Sequence, residues 1–224
     1  MSTVAVIQPY FVPYAGYFRL FAAADVVVML DNVQFPRRGW VHRNVFTLSS
    51  GGQSWLTLPL RKTGRETLIR DVSFTPDAQE RLKTSSRRFP VLERAMRDET
   101  ELMQRVMRIG AGNMADYLCA LAESIRADLG FDTPMLRSSS LAVAPELHGQ
   151  ARVLAIVEYL GGTRYVNPPG GRALYDARAF AERGVELRFL TPYDASHASI
   201  LTRLLEEQAK RVSREINAQS TFLQ

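Results

Sequence analysis

The chain has 224 residues, 28 basic against 23 acidic side chains and a net charge of +5, with 46% hydrophobic and 23% charged residues. This length buries a sizeable core, and the composition is that of an ordinary globular fold rather than a disordered or fibrous one. A single cysteine, Cys119, excludes an internal disulfide framework and a cysteine-built zinc cluster, and no apolar run approaches the roughly 18 residues of a membrane span. The amino terminus has no basic segment followed by an apolar stretch and a small-residue cleavage site, so a cytoplasmic protein is expected.

In chain order, residues 3–7 (TVAVI) read as a buried strand and 15–24 (AGYFRLFAAA) as a short helix. Residues 26–30 (VVVML), an apolar run bounded by Asp25 and Asp31, read as a sheet-centre strand. Together they predict a βαβ unit, and loops at the carboxyl ends of parallel strands are where open α/β sheets bind ligands. "WVHRNVFTL" and "QSWLTLPL" flank a Ser-Ser-Gly-Gly loop and read as a hairpin, with "LIRDVSF" as one more short strand. From Thr75 to Leu129 the character is helical. "TPDAQER" opens on an N-cap followed by a proline, and Met114, Leu118, Leu121, Ile125 and Leu129 form an apolar stripe closed by Gly130.

The alternation then resumes: a helix at 149–160, the strand "RYV", a Gly/Pro loop, a helix around 175–183 and the strand "VELRFL". The ending, "SILTRLLEEQAKRVSREI", reads as an amphipathic, basic helix with one solvated face. The expected architecture is α/β: a layered, largely parallel sheet with flanking helices, a β-hairpin insertion and a central helical region. It occupies one domain of residues 1–224, divided as 1–74, 75–135 and 136–224.

The basic side chains are unevenly spread. Arg37, Arg38, His42, Arg43, Arg61, Lys62, Arg65 and Arg70 crowd one stretch, followed by Lys83, Arg87 and Arg88, and Phe35, Trp40, Phe46 and Trp55 lie among them. Guanidinium groups chelate phosphate and aromatic rings stack on bases or sugars, so an anionic ligand is expected, either a nucleotide-linked metabolite or RNA. A solvated basic face over core aromatics is the alternative.

Asp31 and Asn32 follow the apolar strand at its carboxyl end. Asp31 there can orient a substrate amine, act as general base or ligate a metal, and it can equally cap a loop. Gln34, Arg43 and Asn44 complete a polar cluster, with Arg43 binding a phosphate or pairing with Asp31. His42 is the local candidate for proton transfer, although strand alternation turns it away from Arg43. Gln8 ends the first strand, and Tyr10, Tyr14, Tyr17 and Trp40 offer flat faces to a sugar or base. Gly16 permits close approach of a phosphate or carboxylate.

In the loop after "RYV", Asn167, Gly170 and Gly171 expose polar and backbone groups to an anion, while Tyr175 and Asp176 cap the next helix or touch the ligand. His148 and His197 have no metal-ligand spacing and read as surface residues, so no metal site is expected. Cys119 reads as packing and "SSSL" lacks the setting of a serine nucleophile. No residue set predicts covalent catalysis; direct transfer of an activated group to a bound amine fits, and so does a protein without chemistry.

"IQPYFVPYAGYF", "LDNVQFPRRGW", "HRN", "WLTLPL", "YVNPPGGRALYD" and "GVELRFL" occur in the order found in the WbqC-like family, which this chain resembles along nearly its whole length. It departs from many members at Ile7, where they carry His, and at Leu201-Thr202, where an acidic residue is common. The resemblance implies bacterial surface-polysaccharide biosynthesis, O-antigen included. The implied reaction is transfer of an acyl or aminoacyl group, such as glycyl, onto a nucleotide-linked or lipid-linked amino sugar. Acyl-CoA or aminoacyl-tRNA is the implied donor; no obligatory cofactor and no DNA partner is expected. A non-catalytic protein that binds nucleotide sugar or RNA is the second reading. A nucleotidyltransferase-like enzyme is the third, weakened because the place of a His-x-Gly-His motif reads Tyr14-Ala15-Gly16-Tyr17.

Overall fold

The apolar runs near the amino terminus become β1 (Thr3–Ile7) and β2 (Val26–Met29), paired in parallel from Val4–Val26 to Ile7–Met29. The computed structural model describes residues 2–110 and 112–223. Three further strands, β5 (Met135–Arg137), β6 (Arg164–Asn167) and β7 (Glu186–Phe189), complete a parallel sheet in the order β5-β2-β1-β6-β7. The chain works outward from β1 through β2 to β5, then returns to β6 on the other side of β1. That reversal between β1 and β6 makes a switch point, beyond whose carboxyl edge doubly wound sheets hold their ligands.

Both faces of the sheet are covered, which is why its central strands are apolar without alternation. Val4, Val6 and Val28 pack beneath α6 (Gly149–Tyr159) and α7 (Ala177–Ala181), through Val153, Ile156, Val157 and Phe180. Ala5, Val27, Met29 and Val166 face the larger core. That core takes in α1 (Arg19–Ala23), the hairpin strands β3 (Arg43–Thr47) and β4 (Gln53–Thr57), and the helical region. The latter comprises α2 (Ala78–Ser86), α3 (Pro90–Arg97), α4 (Glu101–Met107) and α5 (Met114–Asp128).

The α5 stripe is buried throughout, from Met114 to Leu129. A capping box starts the helix, in which the Asn113 side chain accepts from the Asp116 N–H and Asp116 accepts from that of Asn113; Gly130, at φ +74°, ends it. In the hairpin, Asn44, Phe46 and Leu56 point to the core, while Arg43, Val45, Trp55 and Thr57 form the outer face.

Several elements differ from the sequence expectation. Residues 68–74 make two isolated bridges, Gln34–Leu68 and Leu60–Phe74, around a 3-10 turn at Ile69–Asp71, instead of a strand. Ile69 and Val72, both fully buried, are spaced for a turn rather than a pleat. The helix placed at Thr75 begins at Ala78, behind Asp77. The helix expected around 175–183 is α7, at Ala177–Ala181, and the Gly/Pro loop before it winds into a 3-10 segment at Pro169–Leu174. The carboxyl-terminal helix is two, α8 (Ile200–Glu206) and α9 (Ala209–Ala218). Arg203 fastens them, reaching both Glu207 and Glu215, the latter at 2.9 Å.

Candidate functional site

The loop after β1 is built by packing rather than by polar turn residues. Phe11, Val12 and Ala15 are fully buried, and Val12 adopts φ +40°, a region that a β-branched side chain rarely enters. Hydrogen bonds hold it there. Asn44 Nδ2 donates to the carbonyls of Phe11 (3.1 Å) and Val12 (2.6 Å), and Ser199 Oγ donates to the Val12 carbonyl at 2.6 Å. The Ile200 N–H donates to the Pro13 carbonyl (2.6 Å) and the Phe11 N–H to that of Val41 (3.0 Å). Hairpin and carboxyl-terminal segment therefore grip the loop from two sides.

Its tyrosines divide accordingly. Tyr17 is buried, donating to the Gln8 carbonyl at 2.9 Å with Met29 Sδ at 3.4 Å, and burial raises its hydroxyl well above the ordinary value. Tyr10 and Tyr14 instead line a cavity of about 320 Å³ together with Pro13, Trp40, Asn44 and His197. The close approach that Gly16 permits is made by the protein's own rings. A Cβ there would stand 2.2 Å from the Tyr14 ring and 2.9 Å from that of Tyr193.

His197, exposed, stacks on Tyr14 with ring centres 5.1 Å apart. Trp40, 48% exposed, meets Trp55 at 4.8 Å, and the Arg43 guanidinium lies 4.1 Å over the Trp55 ring. Arg43 also donates to the carbonyls of Arg38 (2.7 Å) and Gly39 (3.3 Å), fixing the turn that presents Trp40. A neighbouring hollow of about 460 Å³ shares Trp40, Asn44 and His197 and continues along β3 to Thr47 and its β4 partner Gln53.

Asp31 is fully buried and occupied. Its oxygens accept from Arg137 Nε (2.8 Å), Ser138 Oγ (3.0 Å), the Ser139 N–H (2.9 Å) and Ser139 Oγ (2.7 Å), joining the ends of β2 and β5. Burial alone would raise the carboxyl pKa; the Ser139 and Arg137 hydrogen bonds overcome it and hold the group below its ordinary value. The partner of Asp31 is thus Arg137, and Arg43 lies on the hairpin's outer face. His42 packs edge-on against Phe35 with Nδ1 buried and without a partner among the described residues; burial, then the Arg43 charge, lowers its pKa. Gln34 donates to the Arg65 carbonyl at 2.8 Å, and with Asn32 it lines a separate cleft. The expected cluster of Asp31, Gln34, Arg43 and Asn44 is therefore not assembled as one group.

At the switch point the β1–β6 register, Ala5 opposite Val166, carries Gln8 and the 167–171 turn to one sheet edge. Asn167 presses on Gly171, where a Cβ would lie 1.9 Å from Nδ2, and Gly170 stands open. The Tyr175 hydroxyl meets that of Tyr165 at 3.1 Å, and Asp176 caps α7 by accepting from the Arg178 N–H at 3.0 Å. Among the described residues no three His, Cys, Asp or Glu side chains converge as metal ligands. Cys119 is buried, and burial pushes its thiol up to about 12. Sequence reasoning missed His197 at the cavity, because its contact with Tyr14 is non-local and leaves no periodic signal.

The strand order, reversing beside β1 with helices on both faces, defines a doubly wound α/β fold. The chain belongs to the WbqC-like protein family, whose pattern it matches over residues 8–199. It is 28% identical over 198 residues to "Uncharacterized protein Rv1507c" of Mycobacterium tuberculosis, covering 84% of this chain and 81% of that protein. No solved structure matches it. Among the described residues no helix is long and apolar enough to cross a membrane.

Proposed function

We propose that the protein transfers an acyl or aminoacyl group, such as glycyl, onto an amino sugar carried by a nucleotide or lipid, serving surface-polysaccharide or related glycoconjugate synthesis in the cytoplasm. The observation that supports this most is the cavity walled by Tyr10, Tyr14, Trp40 and His197. At about 320 Å³ it has the size of a small-ligand pocket, and flat rings stack on the apolar faces of a pyranose.

In this reading the sugar amine attacks the acyl carbonyl of the donor. The new C–N bond forms as the bond to CoA sulfur or tRNA ribose oxygen breaks, and the amine's proton passes to a base. His197 is assigned that role because it lines the cavity, whereas the oxygens of Asp31 are filled and His42 is packed against Phe35. Asp31 positions the loop ends of β2 and β5. No enzyme nucleophile is required, which suits a chain whose one thiol is buried.

The donor's phosphates find a basic surface. Ion pairs form elsewhere, among them Arg81–Asp77 and Arg94–Glu206, and leave Arg37, Arg38, Arg43, Lys62, Arg65 and Arg88 without carboxylate partners among the described residues. The exposed Trp40–Trp55 pair beside Arg43 also favours a second reading, a module that stacks RNA bases without chemistry. Mass spectrometry of nucleotide-linked amino sugars incubated with the protein and acyl-CoA or glycyl-tRNA separates the two. The transferase reading predicts a sugar heavier by the acyl group, lost in Trp40→Ala. RNA binding with no product from any donor supports the second reading.

A further inference from the structure

Away from the aromatic cavity, the chain beyond β2 opens on a hollow of about 330 Å³ whose walls include Asn32, Arg70, Ser139, His148 and Arg152. Arg152, in the first turn of α6, is only 4% exposed. Its Nε donates to the Leu147 carbonyl (2.6 Å), Nη1 to that of Asn32 (3.2 Å) and Nη2 to that of Pro145 (2.5 Å). Carbonyls satisfy those N–H groups but not the charge, which a guanidinium keeps at any ordinary pH. Buried charges are ordinarily paired, and among the described residues no carboxylate lies within ion-pair distance of Arg152, Glu146 acting on it only from further off.

Arg203, equally buried, is paired with Glu207 and Glu215. Arg19, buried and without a carboxylate partner among the described residues, donates to Thr191 and Gln219 beneath the Tyr193 ring and does not line the hollow. Arg152 alone of the three borders this space, and a second cation joins it. Arg70 is exposed, and its contact with Asp71 is a distant 3.8 Å. Burial lowers the pKa of Arg152, the Arg70 charge lowers it further, and Glu146 opposes them. Glu66 is the one carboxylate on the wall. Of the five N–H groups of a guanidinium, three of Arg152's are used, leaving two for an oxyanion.

We propose that this hollow is an oxyanion site for the phosphate or diphosphate group of a small-molecule ligand, with Arg152 as its fixed wall and Arg70 as the exposed arm that completes it. The assignment does not rest on the acyl-transfer reading, since it follows from a buried guanidinium without an ion-pair partner among the described residues, beside an open cleft.

Isothermal titration of inorganic pyrophosphate into the full chain tests it. Saturable binding is expected, weakened at least about tenfold in Arg70→Gln and unchanged in Lys210→Gln, an exposed control on α9. Arg152→Lys, if folded, keeps the charge and loses the bidentate fork, so it is expected to bind weakly. Arg70→Gln disturbs no buried contact and decides the matter if Arg152→Lys does not fold. Absence of saturable binding, equal loss in Lys210→Gln, or equal binding of malonate would overturn the phosphate assignment.

Discussion

Asp31 carries a negative charge that the fold itself consumes. Four donors surround it, and its depressed pKa reports that the carboxylate stabilises the folded state. The contribution is present above the unfolded value, ordinarily 3.8, and is lost as pH falls through the lower folded value. Asp31→Asn leaves Arg137 with Asp116 alone. It should cost about 3 kcal/mol at pH 7 by urea denaturation, with the gap to wild type closing below about pH 4. A gap independent of pH would contradict the assignment. The sequence placed Asp31 correctly at a strand end and left its role open between base and loop cap. What settles its surroundings is Arg137, 106 residues away on a three-residue strand too short to show a period. Gly16 is a similar case: the need for glycine was legible, but the ring that fills the space was not.

At the scale of elements, the loop after β1 is held open by what grips it. Asn44 comes from the core face of the hairpin and Ser199 from the start of α8, and both end on the strained Val12. Asn44→Ala would strand the buried Phe11 carbonyl and leave that of Val12 to Ser199, costing about 2 kcal/mol. It should also speed hydrogen exchange at Phe11 beyond its change elsewhere, because the loop relaxes toward the cavity. Uniform exchange across the chain would show instead that the loop does not depend on this grip. Strands with apolar runs, the hairpin and α5 were legible because each carries its own period. The 68–74 segment was misread because β-branched composition masked the turn spacing of Ile69 and Val72. The break between α8 and α9 was hidden because Arg203, polar in the sequence, is buried by its two carboxylates.

For the whole molecule, the sheet order does what local patterns cannot. It brings Gln8 beside the Asn167–Gly171 turn and places Asp31 and Ser138 on the same edge, so residues from both ends of the chain share one side of the fold. The α/β class and its parallel sheet were readable from alternating elements. The cavity was readable only in part, since Tyr14, Trp40 and Asn44 were singled out individually while His197 joins them through tertiary packing. The central claim is that this cavity holds the sugar acceptor. Trp40 and Trp55, the only tryptophans, lie in contact beside it and report on its occupancy. The direct measurement is a tryptophan-fluorescence titration with nucleotide-linked amino sugars, on wild type and Tyr14→Ala. The account predicts a saturable change for wild type and affinity at least about fivefold weaker without the Tyr14 ring, the worth of one stacking contact. Tight binding that leaves the fluorescence unchanged and is indifferent to Tyr14→Ala would place the sugar elsewhere and contradict it.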